Sequence, residues 1–153
     1  MKTRTAYVVV AVIAVAIGIG VGVYLWWYSY SSKISIESVT VIIKRDWVEK
    51  GACKAIVDVV AYVRNVGVDD VVITQAYITD VAGRIIVLNN SVWLYIPRGH
   101  IGSVVVKNVE LVAGTTERGN VISIRQYRVH VVTSRGTEDK YPFYVNADCL
   151  LHI

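Results

Sequence analysis

Several things are scarce or missing in this chain. Among 153 residues there is one Met, and Gln occurs only at 75 and 126. So few labile side chains are compatible with a thermophile. No block of five like charges occurs. Lys44-Arg45 is followed by Asp46 and Glu49, and Arg135 by Glu138 and Asp139. The net charge of +4, part of it from Lys2 and Arg4, is therefore no nucleic-acid footprint. No HExxH, GxSxG or phosphate-binding loop is present. The three His, at 100, 130 and 152, have no ligand-type partner at i+4. Neither an enzyme nor a bound cofactor is expected. No internal repeat stands out, and no helical period follows residue 33.

What the chain does have is concentrated at its start. Ala6 to Tyr28 carries no charge and is mostly Val, Ile, Ala and Gly, behind the basic head Met1-Lys2-Thr3-Arg4-Thr5. As a helix this run is about 35 Å long, enough to cross a hydrocarbon core of about 30 Å. Lys and Arg stay cytoplasmic, so the N-terminus points inward and the larger part of the chain outward. Trp26, Trp27, Tyr28 and Tyr30 suit the membrane–water interface. A secretory signal fits less well, since the run is long and aromatics occupy the place of a cleavage site. Ala14, Gly18 and Gly22, like Ala16 and Gly20, are four apart. These small residues either form stripes for close helix packing or reflect the ordinary composition of membrane helices. The expected organisation is a leader at 1–5, a hydrophobic helix at 6–32 and an external domain at 33–153.

Beyond Lys33 the pattern becomes strand-like. Short runs of Val, Ile, Thr and Tyr are broken by Gly, Asn, Asp and Pro. Strands are predicted at 34–44, 55–65, 71–79, 84–88, 92–96, 101–107, 121–133 and 140–145. Ile34, Ile36 and Ser38 are read as one face of the first. In the second, Val57, Val59, Ala61 and Val63 share a face. Pro142 argues that the last run is an edge strand or bulged. Seven to nine short strands at this spacing favour a two-sheet, immunoglobulin-like sandwich, making the whole chain α+β.

Little chemistry is visible. His130 alternates with Val129 and Val131 and reads as a sheet-face residue. The acids lie mostly at turns, where solvation explains them. Cys53 and Cys149 fall at the same pole of an alternating sandwich. They are either bridged, which would close a loop worth about 4 kcal/mol in the chain-entropy account, or free thiols. Cys149 and His152 form a C-x-x-H, but a zinc site needs two more ligands, so no metal is expected. Asn89-Asn90-Ser91 is a glycosylation sequon in a predicted loop.

Three segments carry a family resemblance: Ala61-Tyr62-Val63-Arg64-Asn65-Val66-Gly67, Ile96-Pro97-Arg98-Gly99, and the stretch from Tyr127 to Glu138. With the basic leader and the apolar helix, they resemble archaeal type IV pilins and archaellins. The resemblance implies that a leader peptidase cuts near Arg4, Thr5 and Ala6. Helices then pack into a homopolymeric filament core, delivered by an assembly machinery, with β-domains outside serving adhesion or attachment. Family leaders end in a charge followed by Gly or Ala, whereas here Thr5 separates Arg4 from Ala6. An uncut chain would instead resemble the stator-like accessory subunits of the archaellum. An anchored carbohydrate- or peptide-binding module is a third reading.

Overall fold

The computed structural model describes residues 2–118 and 120–150. Helix α1 (Lys2–Ser31) leads into strands β1 (Ile34–Glu49), β2 (Ala52–Asn65), β3 (Val71–Asp80), β4 (Ile85–Asn89), β5 (Leu94–Ile96), β6 (Ile101–Glu117), β7 (Asn120–Ile124), β8 (Gln126–Thr133) and β9 (Glu138–Tyr144), closed by a 3₁₀ turn, Asp148–Leu150. All pairings are antiparallel. One sheet has the order β1-β2-β6-β7, and the other β4-β3-β8-β9, with β5 also on β3. The two sheets form a sandwich, and the α+β class expected from the sequence is what the chain adopts. The helix takes in most of the segment read as leader, because nothing in Lys2–Thr5 breaks a helix, and it stops at Ser31 rather than at 32.

The core is built of short aliphatic side chains from both sheets. Val57, Val59, Ala61 and Val63 of β2 are fully buried, facing Ile73, Ile78, Val129 and Val131 from the other sheet. Burial of this kind is the main stabilising term, roughly 1.5–3 kcal/mol per large aliphatic side chain. Pro142 lies in β9, at a sheet edge, where its missing N–H breaks no inner ladder.

Several differences from the sequence reading have physical causes. In β1 the register shifts between Ile36 and Ser38. The bulge turns Val39, Val41 and Ile43 toward the core, so Ser38 does not share a face with Ile34 and Ile36. Second, β1 and β2 run past the charges at 44–49 to a two-residue hairpin in which Lys50 and Gly51 have φ of 52° and 78°. Positive φ at both positions matches the twist of the strands it joins. Third, the run 121–133 is two strands, β7 and β8, in different sheets, divided at Arg125. The strands read as 84–88 and 92–96 begin later, at Ile85 and Leu94. The sequence reading stops the sixth strand at Lys107, but it continues past Asn108, held in a left-handed conformation (φ 54°), to Glu117. The Asp58 carboxylate accepts from the Asn108 N–H at 2.9 Å and pairs with Lys44.

Two ties hold the pole remote from the helix. Buried Tyr127, at the start of β8, donates its hydroxyl to the Val112 carbonyl at 2.8 Å and accepts from the Val112 N–H at 3.1 Å. This tyrosine corner joins the sheets at the crossover, as in immunoglobulin-like sandwiches. Cys53 and Cys149 are disulfide-bonded, with Cα atoms 5.8 Å apart and 96 residues between them in sequence.

Replacing both cysteines by Ala should lower stability by about 4–5 kcal/mol on the chain-entropy account, read from denaturant melts. Mass analysis should find neither thiol alkylated before reduction; alkylation of both without reductant would remove the bridge from the structure. Tyr127→Phe leaves two backbone groups without their partner and should cost about 1–3 kcal/mol in the same melts.

Candidate functional site

Two features stand apart from the sandwich: the bare helix and the junction that holds it. Thr3–Tyr28 is long and apolar enough to span a membrane, and none of it is buried within the chain. A helix apolar on every side needs lipid or other helices around it. Arg4, Thr5 and Ala6 lie exposed in its first turns. Ala14 and Ala16 are exposed, and Cβ atoms added at Gly18, Gly20 and Gly22 would meet nothing within 4 Å. Near the other end the aromatics stack in i,i+4 pairs, Tyr24 on Tyr28 at 6.1 Å and Trp26 on Tyr30 at 5.6 Å. Trp27 is exposed beside them. Together they form a girdle just before the domain begins.

Only Ser32 and Lys33 separate α1 from β1, yet this joint is not a loose linker. The Arg135 guanidinium, from the β8–β9 turn, donates to Ser31 Oγ at 2.8 Å and pairs with Asp69 at 3.1 Å. It also lies over the Tyr28 ring, 5.3 Å from the centroid, a cation–π contact. Thr137 Oγ1 donates to the Ser32 carbonyl at 2.7 Å, and the Asp69 N–H donates to the Ser31 carbonyl at 3.1 Å. Ser31 and Ser32 are buried by these contacts. The last carbonyls of a helix normally face water or a cap; here the sandwich itself supplies the donors.

The loops that make this collar are pinned by Asn65, which is fully buried. Its side-chain N–H groups donate to the carbonyls of Asp69 at 2.7 Å and Ile96 at 3.0 Å, and its Oδ1 accepts from the Gly67 N–H at 3.0 Å. Its backbone binds His100 O and Gly99 N. A buried amide with its groups satisfied fixes geometry as well as adding stability. Gly67 then meets the helix end closely: a Cβ there would lie 2.3 Å from the Ser31 carbonyl oxygen. Sequence reading leaves 66–70 between two strands and gives Asn65, Gly67, Arg135 and Thr137 no part in holding the helix. The available signal was an Asn ending a buried alternation and followed closely by Gly.

The other candidates are distributed elsewhere. His130 does sit on a sheet face, in a chain of polar groups across β3, β8 and β9. Its Nε2 is 2.9 Å from Thr79 Oγ1 and its Nδ1 2.5 Å from Glu138. Its ring stacks on Tyr77 at 4.4 Å, and the Tyr77 hydroxyl donates to Glu138 at 2.7 Å. Hydroxyl, imidazole and carboxylate in sequence is the outline of a nucleophilic triad, but Thr79 is only 3% exposed, which closes its hydroxyl to a substrate. Asn89 ends β4, and its Oδ1 accepts from the Ser91 N–H in an Asx turn at 3.0 Å. His152 lies outside the described residues. Among the described residues no cluster of His, Cys, Asp or Glu is arranged to hold a metal.

Three carboxylates share one electrostatic trend. Burial raises the Glu138 pKa, but hydrogen bonds from Tyr77 and His130 outweigh it and hold the group below its ordinary value. Asp70 is held low by the Tyr95 hydroxyl and the Arg98 N–H, and Asp80 by the Arg84 N–H above all. Burial and Glu138 push the Tyr77 hydroxyl up to about 12.

Gly67→Ala forces the collar open against the helix backbone and should cost about 1–3 kcal/mol locally. Trypsin cleavage after Lys33 should then rise about tenfold for each 1.4 kcal/mol lost. Arg135→Ala should act in the same direction, while the sandwich melts within a few degrees of the parent. The lowered carboxylates are deprotonated more readily folded than unfolded. Their contribution to stability is full above the unfolded values of about 4 and is lost as pH falls below them. Melting temperature should therefore fall steeply between about pH 4.5 and pH 3, checked by thermal melts across that range.

No protein-family model and no curated protein sequence matches the chain. Among solved structures, a structural-genomics target designated SoR45 is 16% identical over 78% of this chain and 91% of its own, with a TM-score of 0.47. The archaellum periplasmic stator protein FlaG from Sulfolobus acidocaldarius is 15% identical over 69% of this chain and 100% of its own, with a TM-score of 0.38.

Proposed function

We propose that this chain is a non-catalytic, single-pass membrane protein of an archaeal cell surface, an accessory subunit of a surface appendage in the manner of an archaellum stator. The observation that carries this reading is the collar. A tether needs only a flexible linker, whereas Arg135, Thr137 and Asp69 lock the helix end to the sandwich within two residues of β1. Such a mount fixes where the outer domain sits relative to the bilayer, which is what a stationary part requires. The aromatic girdle next to the collar places the interface at the domain's base. Thr5 supports the same reading, since it stands where filament leaders carry their charge.

One feature suits the filament reading instead. Gly18, Gly20 and Gly22 carry no side chain that would hold a neighbouring helix's backbone away.

N-terminal sequencing of the native protein, in sheared filaments and in washed membranes, separates the two. The accessory reading expects a chain that keeps Arg4 and Thr5 and remains with the membranes. A start at Ala6 or Tyr7 in the filament fraction would overturn it. In that case Gly18→Leu should abolish filaments without unfolding the sandwich.

A further inference from the structure

The edges of the sandwich are treated differently along its two flanks. On one flank β1 and β9 are stitched together, the Ile36 N–H donating to Asp139 at 2.7 Å. On the other, the half near the helix is closed by β5 against β6, where a Cβ on Gly102 would lie 2.9 Å from Leu94. In the far half no comparable contact joins β7 to β4 among the described residues. There β7 pairs with β6 on one side only. Its sequence is Asn120-Val121-Ile122-Ser123-Ile124, and all five residues are exposed, Ile122 by 59% and Ile124 by 56%.

Exposed edges of monomeric sandwiches are normally blunted by Lys, by Pro or by an inward-pointing charge. The opposite edge follows that rule, with Lys140 and Pro142 in β9. β7 has none of these devices. Beside it a groove of about 540 Å3 runs between the end of β7 and the β3–β4 hairpin, bordered by Val81, Ile86, Ile124 and Tyr144. Two cations, Arg84 and Arg125, line the same groove and are exposed. Its one acid, Asp80, is held by the N–H groups of Ala82 and Arg84 and by the Arg84 guanidinium.

We propose that this flank is a docking site for an extended strand of a partner protein, added to the free edge of β7, with apolar residues alternating along it and an acidic residue at its ends. The open backbone edge requires the ligand to be extended. The bordering aliphatics take every second side chain, and the exposed Arg125 guanidinium favours a carboxylate at the rim, the Arg84 guanidinium being already paired with Asp80. The site lies at the pole away from the helix, so a strand can reach it whether the helix sits in lipid or in a filament.

The test uses the full chain in detergent micelles and the peptide acetyl-Asp-Thr-Val-Thr-Ile-Thr-Asp-amide, with hydrogen exchange at β7 as the readout. The expected result is at least tenfold slower exchange across 120–124 with peptide. A version with Lys at both ends should bind at least tenfold more weakly, and Arg125→Glu should reverse that preference. Ile122→Lys, at an exposed position, should abolish the protection at an unchanged melting temperature. Three outcomes overturn the proposal: no slowing by the acidic peptide, equal slowing in Ile122→Lys, or β7 already protected in the free protein by a second copy.

Discussion

The structure depends first on one buried amide. Asn65 ends β2, an inner strand of the first sheet, and its side chain ties the loop that follows it to the end of β5. Each of its side-chain hydrogen bonds satisfies a backbone group of those segments. The result is a rigid floor on the membrane side of the sandwich. Onto that floor Gly67 admits the helix end, and Arg135 and Thr137 reach across from the other sheet to hold it. Both sheets therefore grip the helix, and neither could do so if the loops at 65–70 and 96–100 were free to move.

The three segments singled out in the sequence, 61–67, 96–99 and 127–138, lie far apart along the chain. Folded, they contribute Asn65 and Gly67, Ile96 and Gly99, and Arg135 and Thr137, which meet at the collar. The rest of the sandwich asks only for β-branched residues in alternation, which many sequences supply. The collar asks for particular side chains.

The helix was legible because an uncharged run of that length has few other fates. The alternation of β2 was equally plain, since every inward position from Ala55 to Val63 is Val or Ala. What could not be read was register. A single bulge near Glu37 exchanges the faces of β1, and nothing in Ile-Glu-Ser-Val announces it. The hairpin at Lys50-Gly51 was hidden by the charges on both of its arms, which look like a loop until they are paired. The switch from one sheet to the other at Arg125 was hidden for the opposite reason, because the run from 121 to 133 is uniformly strand-like. At the candidate site the helix residues were visible as composition, whereas the residues that hold the helix are single polar side chains whose partners lie up to 105 residues away.

The disulfide has a mechanical side. The chain leaves the collar, runs the length of the domain as β1, and reaches Cys53 soon after the hairpin. Cys149 is bonded there, so everything between the two cysteines is covalently looped. A pull between the membrane and this far pole loads β1 along its own axis, and its pairs with β2 must slide together rather than open one by one. Should they give way, only the roughly 20 residues from Ile34 to Cys53 can be drawn out, about 70 Å at full extension. The domain then behaves as a strap with a fixed stop, its reach under tension set by a covalent bond rather than by the strength of its core.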